Sequence, residues 1–188
     1  MAEIRTVAVI GAGAIGRGIA YASALGGYRT ILEDILPSSL RTAAAELREH
    51  LARAADIGTV SKPEATAAFS RLEYASTIEQ AAREADLVIE AVPDELESKI
   101  EIFTLLDKIC KPNTILVSNT TSLSVSDLAS VTYRAGKVAG MRFGNVPFAA
   151  CRLEIVRARV TNDETIVACT DVGKRMGKDV VVIVEGAD

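Results

Sequence analysis

Three glycines and one acid stand where a nucleotide site needs them. Gly11, Gly13 and Gly16 form the pattern G-x-G-x-x-G, with Ala12, Ala14 and Ile15 between them, and Asp34 follows 23 residues after Gly11. The first glycine permits a tight turn, the second lets a pyrophosphate approach the main chain, and the third lets a helix pack close on a strand. A helix opening here presents free N–H groups and the positive end of its dipole to phosphate. Asp34 can accept hydrogen bonds from ribose hydroxyls, and its charge would repel a ribose 2′-phosphate. No arginine follows it in "DILPSS". The pattern therefore reads as NAD rather than NADP. FAD is the alternative on the shared fingerprint, and a Gly-rich turn beside a surface acid is the non-functional reading.

A second group lies late in the chain. In "GMRFGNVPFAACRLEIV" (140–156), Arg142, Asn145 and Glu154 interrupt apolar and small residues. Glu154 falls in a run that reads as a strand, where a carboxylate needs solvent or a partner. Arg142 offers bidentate geometry, so the two are expected to lie together. Arginine keeps its proton at usable pH; it can hold a carboxylate or polarise a carbonyl but is a poor general base. His50, the lone histidine, reads as a solvated helix residue. Cys110, Cys151 and Cys169 form no CxxC, so they read as reduced, buried thiols, and no metal is expected.

The elements that must position these residues alternate. "TVAVI" (6–10) is a buried parallel strand by its β-branched, apolar run, and "GAGAIG" opens a helix that stops at Gly26–Gly27. "YRTILED" (28–34) is the second strand. Residues 38–60 read as a helix capped by Ser38 or Ser39, and residues 61–72 as another with Ser61 as cap and Pro63 in its first turn. Two helices in place of one crossover imply an inserted helical hairpin (38–72). Strands are expected at 72–76, 86–92, 114–120, 137–143, 151–158 and 179–186. Between them, Ile100, Phe103, Leu106 and Ile109 mark an amphipathic helix, and Asn162 caps the last one. The fold class is α/β: a doubly wound, Rossmann-type, mostly parallel sheet with that hairpin inserted.

Bulk properties exclude several classes. The 188 residues are 49% hydrophobic and 24% charged, enough for one domain with a real core. With 21 basic against 25 acidic residues the net charge is −4, leaving no basic surplus for nucleic acid. No run of apolar residues is long enough to span a membrane, and the N-terminus lacks the layout of a signal peptide. A cytoplasmic location is expected.

"VAVIGAGAIGRGIA", "ADLVIEAVPDELESKIEIFTLLDKI", "ILVSNTTSLSVSDLA" and "VAGMRFGNVPFAACRLEIV" resemble, in order and spacing, the NAD-binding domain of 3-hydroxyacyl-CoA dehydrogenases. The resemblance covers nearly the whole chain, and "EAVPDELESK" and "SNTTSLS" are far more specific than the glycine loop. It implies that Ala91, Val92, Asp94 and Lys99 lie near NAD, with Asp94 where Glu is usual. It implies that Asn119 sits at the nicotinamide ribose and Thr121 where a Ser bonds substrate. From the residues alone, Lys99 reads as an i, i−4 partner of Glu95, and 119–122 as a polar turn capping the next helix.

By the same resemblance, Glu154 and Asn145 fall on the acid that orients the catalytic His and on the Asn that holds substrate. The His position itself is Arg142. The hairpin is where the family holds the nucleotide part of CoA. The implied activity is NAD-dependent hydride transfer at C3 of an acyl thioester, on CoA or a carrier protein. A module that keeps NAD or acyl-thioester binding without dehydrogenation is the alternative, and an engineered site variant a third. The family's helical C-terminal domain, which carries the dimer surface, has no counterpart by residue 188. The chain is therefore expected to be a fragment of a homodimeric protein, or else a stand-alone NAD domain.

Overall fold

The computed structural model describes residues 3–144, 148 and 152–186. Eight strands form one sheet: β1 (Thr6–Ile10), β2 (Arg29–Glu33), β3 (Leu72–Ala75), β4 (Leu87–Glu90), β5 (Ile115–Ser118), β6 (Val138–Phe143), β7 (Arg152–Arg157) and β8 (Asp179–Val184). Their spatial order is β3-β2-β1-β4-β5-β6-β7-β8. All neighbours are parallel except β6 and β7, which run antiparallel. The central strands are apolar and buried on both faces, as helices on both sides require.

One core lies under α1 (Ala14–Leu25), α2 (Pro37–Asp56), α3 (Lys62–Ser70) and α7 (Asp163–Arg175), with Ile19, Leu32, Leu47, Leu51 and Val172 at its centre. The other lies under α4 (Ile78–Ala82), α5 (Leu96–Ile109) and α6 (Val125–Ser130), built on Val88, Phe103, Leu106 and Leu128. The chain winds outward from β1 through β2 to β3, then crosses back to β4 beside β1. That reversal opens a crevice beyond the C-terminal ends of β1 and β4, where open α/β sheets bind ligands.

The helix starts divide into two kinds. Ser61 makes a full capping box with Glu64, and Asn162 accepts from the Thr165 N–H at 2.8 Å. The expected Ser38 or Ser39 cap is replaced: α2 begins at Pro37, with Leu36 as N-cap. Proline there has its φ already set for helix and lacks the N–H that would go unpaired.

Candidate active site

The glycine loop has the geometry its sequence requires. Gly11 sits at φ 100°, a region costly for any residue with a Cβ. A Cβ on Gly16 would lie 1.8 Å from the Gly11 carbonyl oxygen, so helix α1 and the loop touch backbone to backbone. A Cβ on Gly13 would meet nothing within 4 Å: this is the open side of the loop, where a phosphate can approach. No side chain caps α1, so its first N–H groups stay available to an anion. Asp34 is locked over the loop, its Oδ2 accepting from Ala12 N–H at 3.0 Å and its Oδ1 from Leu36 N–H at 2.9 Å.

Beside Asp34 opens a cavity of about 440 Å³, lined by Gly11, Glu33, Ile35, Ile78 and Val92 among others. Its charged lining is Glu33, Asp34 and Glu79, with no lysine or arginine. Such a lining suits a neutral nucleoside and disfavours a 2′-phosphate, so the residues present fit NAD. Sequence reasoning passed over Glu33. Burial first, and the neighbouring Asp34 charge second, push its carboxyl up to about 7, against a smaller opposing pull from the Gly11 N–H. A glutamate closing an otherwise apolar, largely buried strand was the available signal.

The floor of the crevice is a buried ion pair. Glu90 and Lys99 are both 0% exposed, with Lys99 Nζ at 2.6 and 2.8 Å from the two Glu90 oxygens. Lys99 also donates to the Val92 carbonyl at 3.0 Å and lies 3.3 Å from Asp94 Oδ1. Glu90 in turn accepts from Val92 N–H and the Ser118 hydroxyl. One expectation is thereby corrected. The partner of Lys99 is Glu90 and not Glu95, and its three protons are committed inside the protein, beside Asp94. Asp94 accepts from the Thr121 N–H at 3.1 Å and the Ser122 hydroxyl at 3.1 Å. Burial raises the Asp94 pKa, yet the Thr121 N–H, the Thr120 hydroxyl and Lys99 together hold it below the usual range.

Asn119 follows β5, and its Oδ1 accepts from the Phe143 N–H at 2.9 Å, which clips β5 to β6. Thr121 is exposed at the mouth of a second cavity, about 290 Å³, shared with Arg142, Phe143, Gly144, Arg152 and Glu154. Arg142 and Glu154 are direct register partners across β6 and β7, so the expected neighbourhood exists. The expected ion pair does not. Arg142 Nε donates to the Thr120 carbonyl at 2.8 Å, while Glu154 pairs with Arg152 at 2.9 Å. Residues two apart on a strand share a face, and that local pair won over the cross-strand one. Asn145 and Cys151 lie outside the described residues, so the substrate-holding role expected of Asn145 has no geometry here. His50 is half-buried, not solvated: its ring stacks on Phe148 at 3.6 Å, with Tyr21 edge-on to Phe148.

Among the described residues no group of three or more His, Cys, Asp or Glu could hold a metal ion. Cys110 and Cys169 are free and buried. No described helix is long and apolar enough to cross a membrane.

Residues 6–186 match the family described as 3-hydroxyacyl-CoA dehydrogenase, NAD binding domain. A probable 3-hydroxybutyryl-CoA dehydrogenase of Bacillus subtilis is 36% identical over 181 residues, 96% of this chain and 63% of that protein. The crystal structure of 3-hydroxybutyryl-CoA dehydrogenase from Escherichia coli K12 superposes with a TM-score of 0.93 at 31% identity, covering 97% of this chain and 39% of that one. The (S)-3-hydroxybutyryl-CoA dehydrogenase of Ralstonia eutropha gives a TM-score of 0.91 at 31% identity, with 97% and 64% covered. The chain thus spans less than two thirds of these relatives' length. The chain belongs to the 3-hydroxyacyl-CoA dehydrogenase family, as its NAD-binding domain.

Proposed function

We propose that this chain is the cofactor half of an oxidoreductase acting on a 3-hydroxyacyl thioester, carried by CoA or a carrier protein. Residues 1–188 form the NAD domain in this reading, and a helical C-terminal domain completes the cleft and a homodimer. NAD, when bound, supplies the hydride acceptor. Gly11 to Gly16 hold its phosphates, Asp34 its adenosine ribose, and the Asp94-pinned turn at Asn119 and Thr121 its nicotinamide end. The groove of about 360 Å³ between α2 and α3, apolar at Leu51 and Phe69 and flanked by Arg48 and Lys62, suits the nucleotide end of CoA.

The observation that carries the reading is the meeting of Thr121, Arg142 and Glu154 at one cavity beside that turn. When a C3 hydroxyl becomes a carbonyl, hydride leaves carbon and a proton leaves oxygen. Arg142 cannot take that proton, but it can donate hydrogen bonds to the oxygen. Glu154 is the carboxylate at hand to accept it. The proton step is thus carried by a carboxylate already paired with Arg152, in place of a histidine.

A second reading has its own support. Arg142 is engaged on a main-chain carbonyl and Glu154 on Arg152, an arrangement suited to binding without proton transfer. A longer chain that includes the C-terminal segment of the relatives separates the two. With 3-hydroxybutyryl-CoA and NAD, the enzyme reading expects NADH absorbance to rise; saturable binding of both ligands with no NADH would establish the binding module instead.

A further inference from the structure

The cavity beyond β2 holds a carboxyl that the dinucleotide grip described above does not use. Glu33 is 5% exposed and lines that cavity. The Gly11 N–H, whose 2.9 Å bond goes to the Glu33 main-chain carbonyl, also pulls on the side-chain carboxyl. Strand alternation turns Asp34 toward the glycine loop and Glu33 to the opposite face, shared with Ile31, toward α4 and α5.

Apart from the Gly11 N–H, the surroundings oppose ionisation. Asp34 faces Glu33 from the end of its own strand, and α4 contributes Glu79. The turn before α4 offers Ser76 and Thr77, the end of β1 offers Ile10 and the loop after it Gly11, the turn after β4 offers Val92, and α5 offers Ile102 and Leu105. No cation lines the cavity. The carboxyl, raised to about 7, is half neutral near pH 7 and mostly neutral below it.

A neutral carboxyl presents an acceptor and a donor side by side. Adenine presents the complement on one edge, an amine donor next to a ring-nitrogen acceptor. An ionised carboxylate has acceptors only and would set its charge against the ring-nitrogen lone pair. We infer that Glu33 reads the adenine of the cofactor: as the neutral acid it takes the amine-bearing edge of the base, so that NAD binding to this chain carries a proton. The inference rests on NAD binding alone and not on the dehydrogenase reading.

The test is isothermal titration of the 188-residue protein between about pH 6 and pH 9, in buffers of different ionisation heat. The ligands are NAD and nicotinamide purine dinucleotide, in which hydrogen replaces the adenine amine. NAD affinity is expected to hold below about pH 7 and to fall roughly tenfold per unit above it, with uptake of up to one proton. At pH 6 the purine analogue should bind about 3- to 10-fold more weakly, since the bond from the amine is lost. Glu33→Gln, whose amide keeps an acceptor and a donor side by side, should retain NAD affinity and lose the pH slope. Glu33→Leu should bind NAD and the analogue alike. A flat NAD affinity from pH 6 to 9 without proton uptake would overturn the inference. So would an analogue that binds as well as NAD, or a Gln variant with the wild-type slope. Activity of the longer enzyme is not involved, so failure here leaves the proposed reaction standing.

Discussion

At the β1–β2 end of the crevice, Asp34 is held by two backbone amides and the loop by its own glycines, whereas at the β6–β7 end charged side chains hold one another or a single carbonyl. The first arrangement is fixed by the fold itself. The second depends on which side chain stands at one position. Position 142 shows the difference: the strand register keeps it opposite Glu154 whatever the residue, but the chemistry available there changes entirely between an imidazole and a guanidinium. In the proposed reading, cofactor binding and proton transfer are therefore separable, and each is expected to change without the other.

The largest expected effect lies at the weaker end. Arg142→His in the longer chain places a group that titrates near neutrality opposite Glu154. Oxidation of 3-hydroxyacyl-CoA, followed as NADH formation, should rise about 10²–10⁴-fold, the usual worth of general acid–base catalysis. NAD affinity should not change. A fall in turnover would show that Arg142 holds an anionic group of the native substrate. No change would place residue 142 outside the chemistry.

Next comes the floor that joins the two ends. Lys99→Met leaves the Glu90 carboxylate buried with only the Val92 N–H and the Ser118 hydroxyl. Breaking such a pair costs about 3–5 kcal/mol of stability, read by urea denaturation. Glu90→Gln combined with Lys99→Met removes both charges and should recover most of that loss. If the single variant is as stable as wild type, the pair is not the support of the Asp94 turn described above.

A comparable effect, limited to one pH range, belongs to Glu33. Its folded carboxyl titrates at about 7, against 4.5 for an ordinary glutamate. A raised acid contributes stability below its unfolded pKa and loses that contribution as pH rises through the folded value. The difference integrates to about 3 kcal/mol. Glu33→Gln should therefore unfold at higher urea than wild type at pH 8 and show no such gain near pH 4.5. Equal gains at both pH values would mean that packing, not ionisation, separates the two proteins.

Much of this was legible beforehand. The order of strands and helices follows from short β-branched runs broken by glycine, and Ser61 with Glu64 signals its own helix start. The site residues were visible as types but not as partners. Lys99 reads as a neighbour of Glu95 because helical spacing is local, yet its partner Glu90 lies on the preceding strand and meets it only when α5 folds back over β4. The missing Arg142–Glu154 pair was partly readable: Arg152 stands two residues from Glu154 on the same strand face, which is a local fact. The engagement of Arg142 on the Thr120 carbonyl depends on how the turn after β5 passes β6, and no spacing reports that. The His50–Phe148 stack joins α2 to a segment about a hundred residues later, and it too is a product of packing alone.

The central claim is that a backbone-fixed acid at the end of β2 makes this an NAD-specific site. Titration of the 188-residue protein with NAD and NADP, in wild type and in Asp34→Ala, tests it directly. Wild type should bind NAD more tightly than NADP. Asp34→Ala should weaken NAD by about 1–2 kcal/mol, roughly 5- to 30-fold, and narrow the gap between the two cofactors. A wild-type protein that binds NADP as tightly as NAD, or an Asp34→Ala variant with unchanged preference, would contradict it.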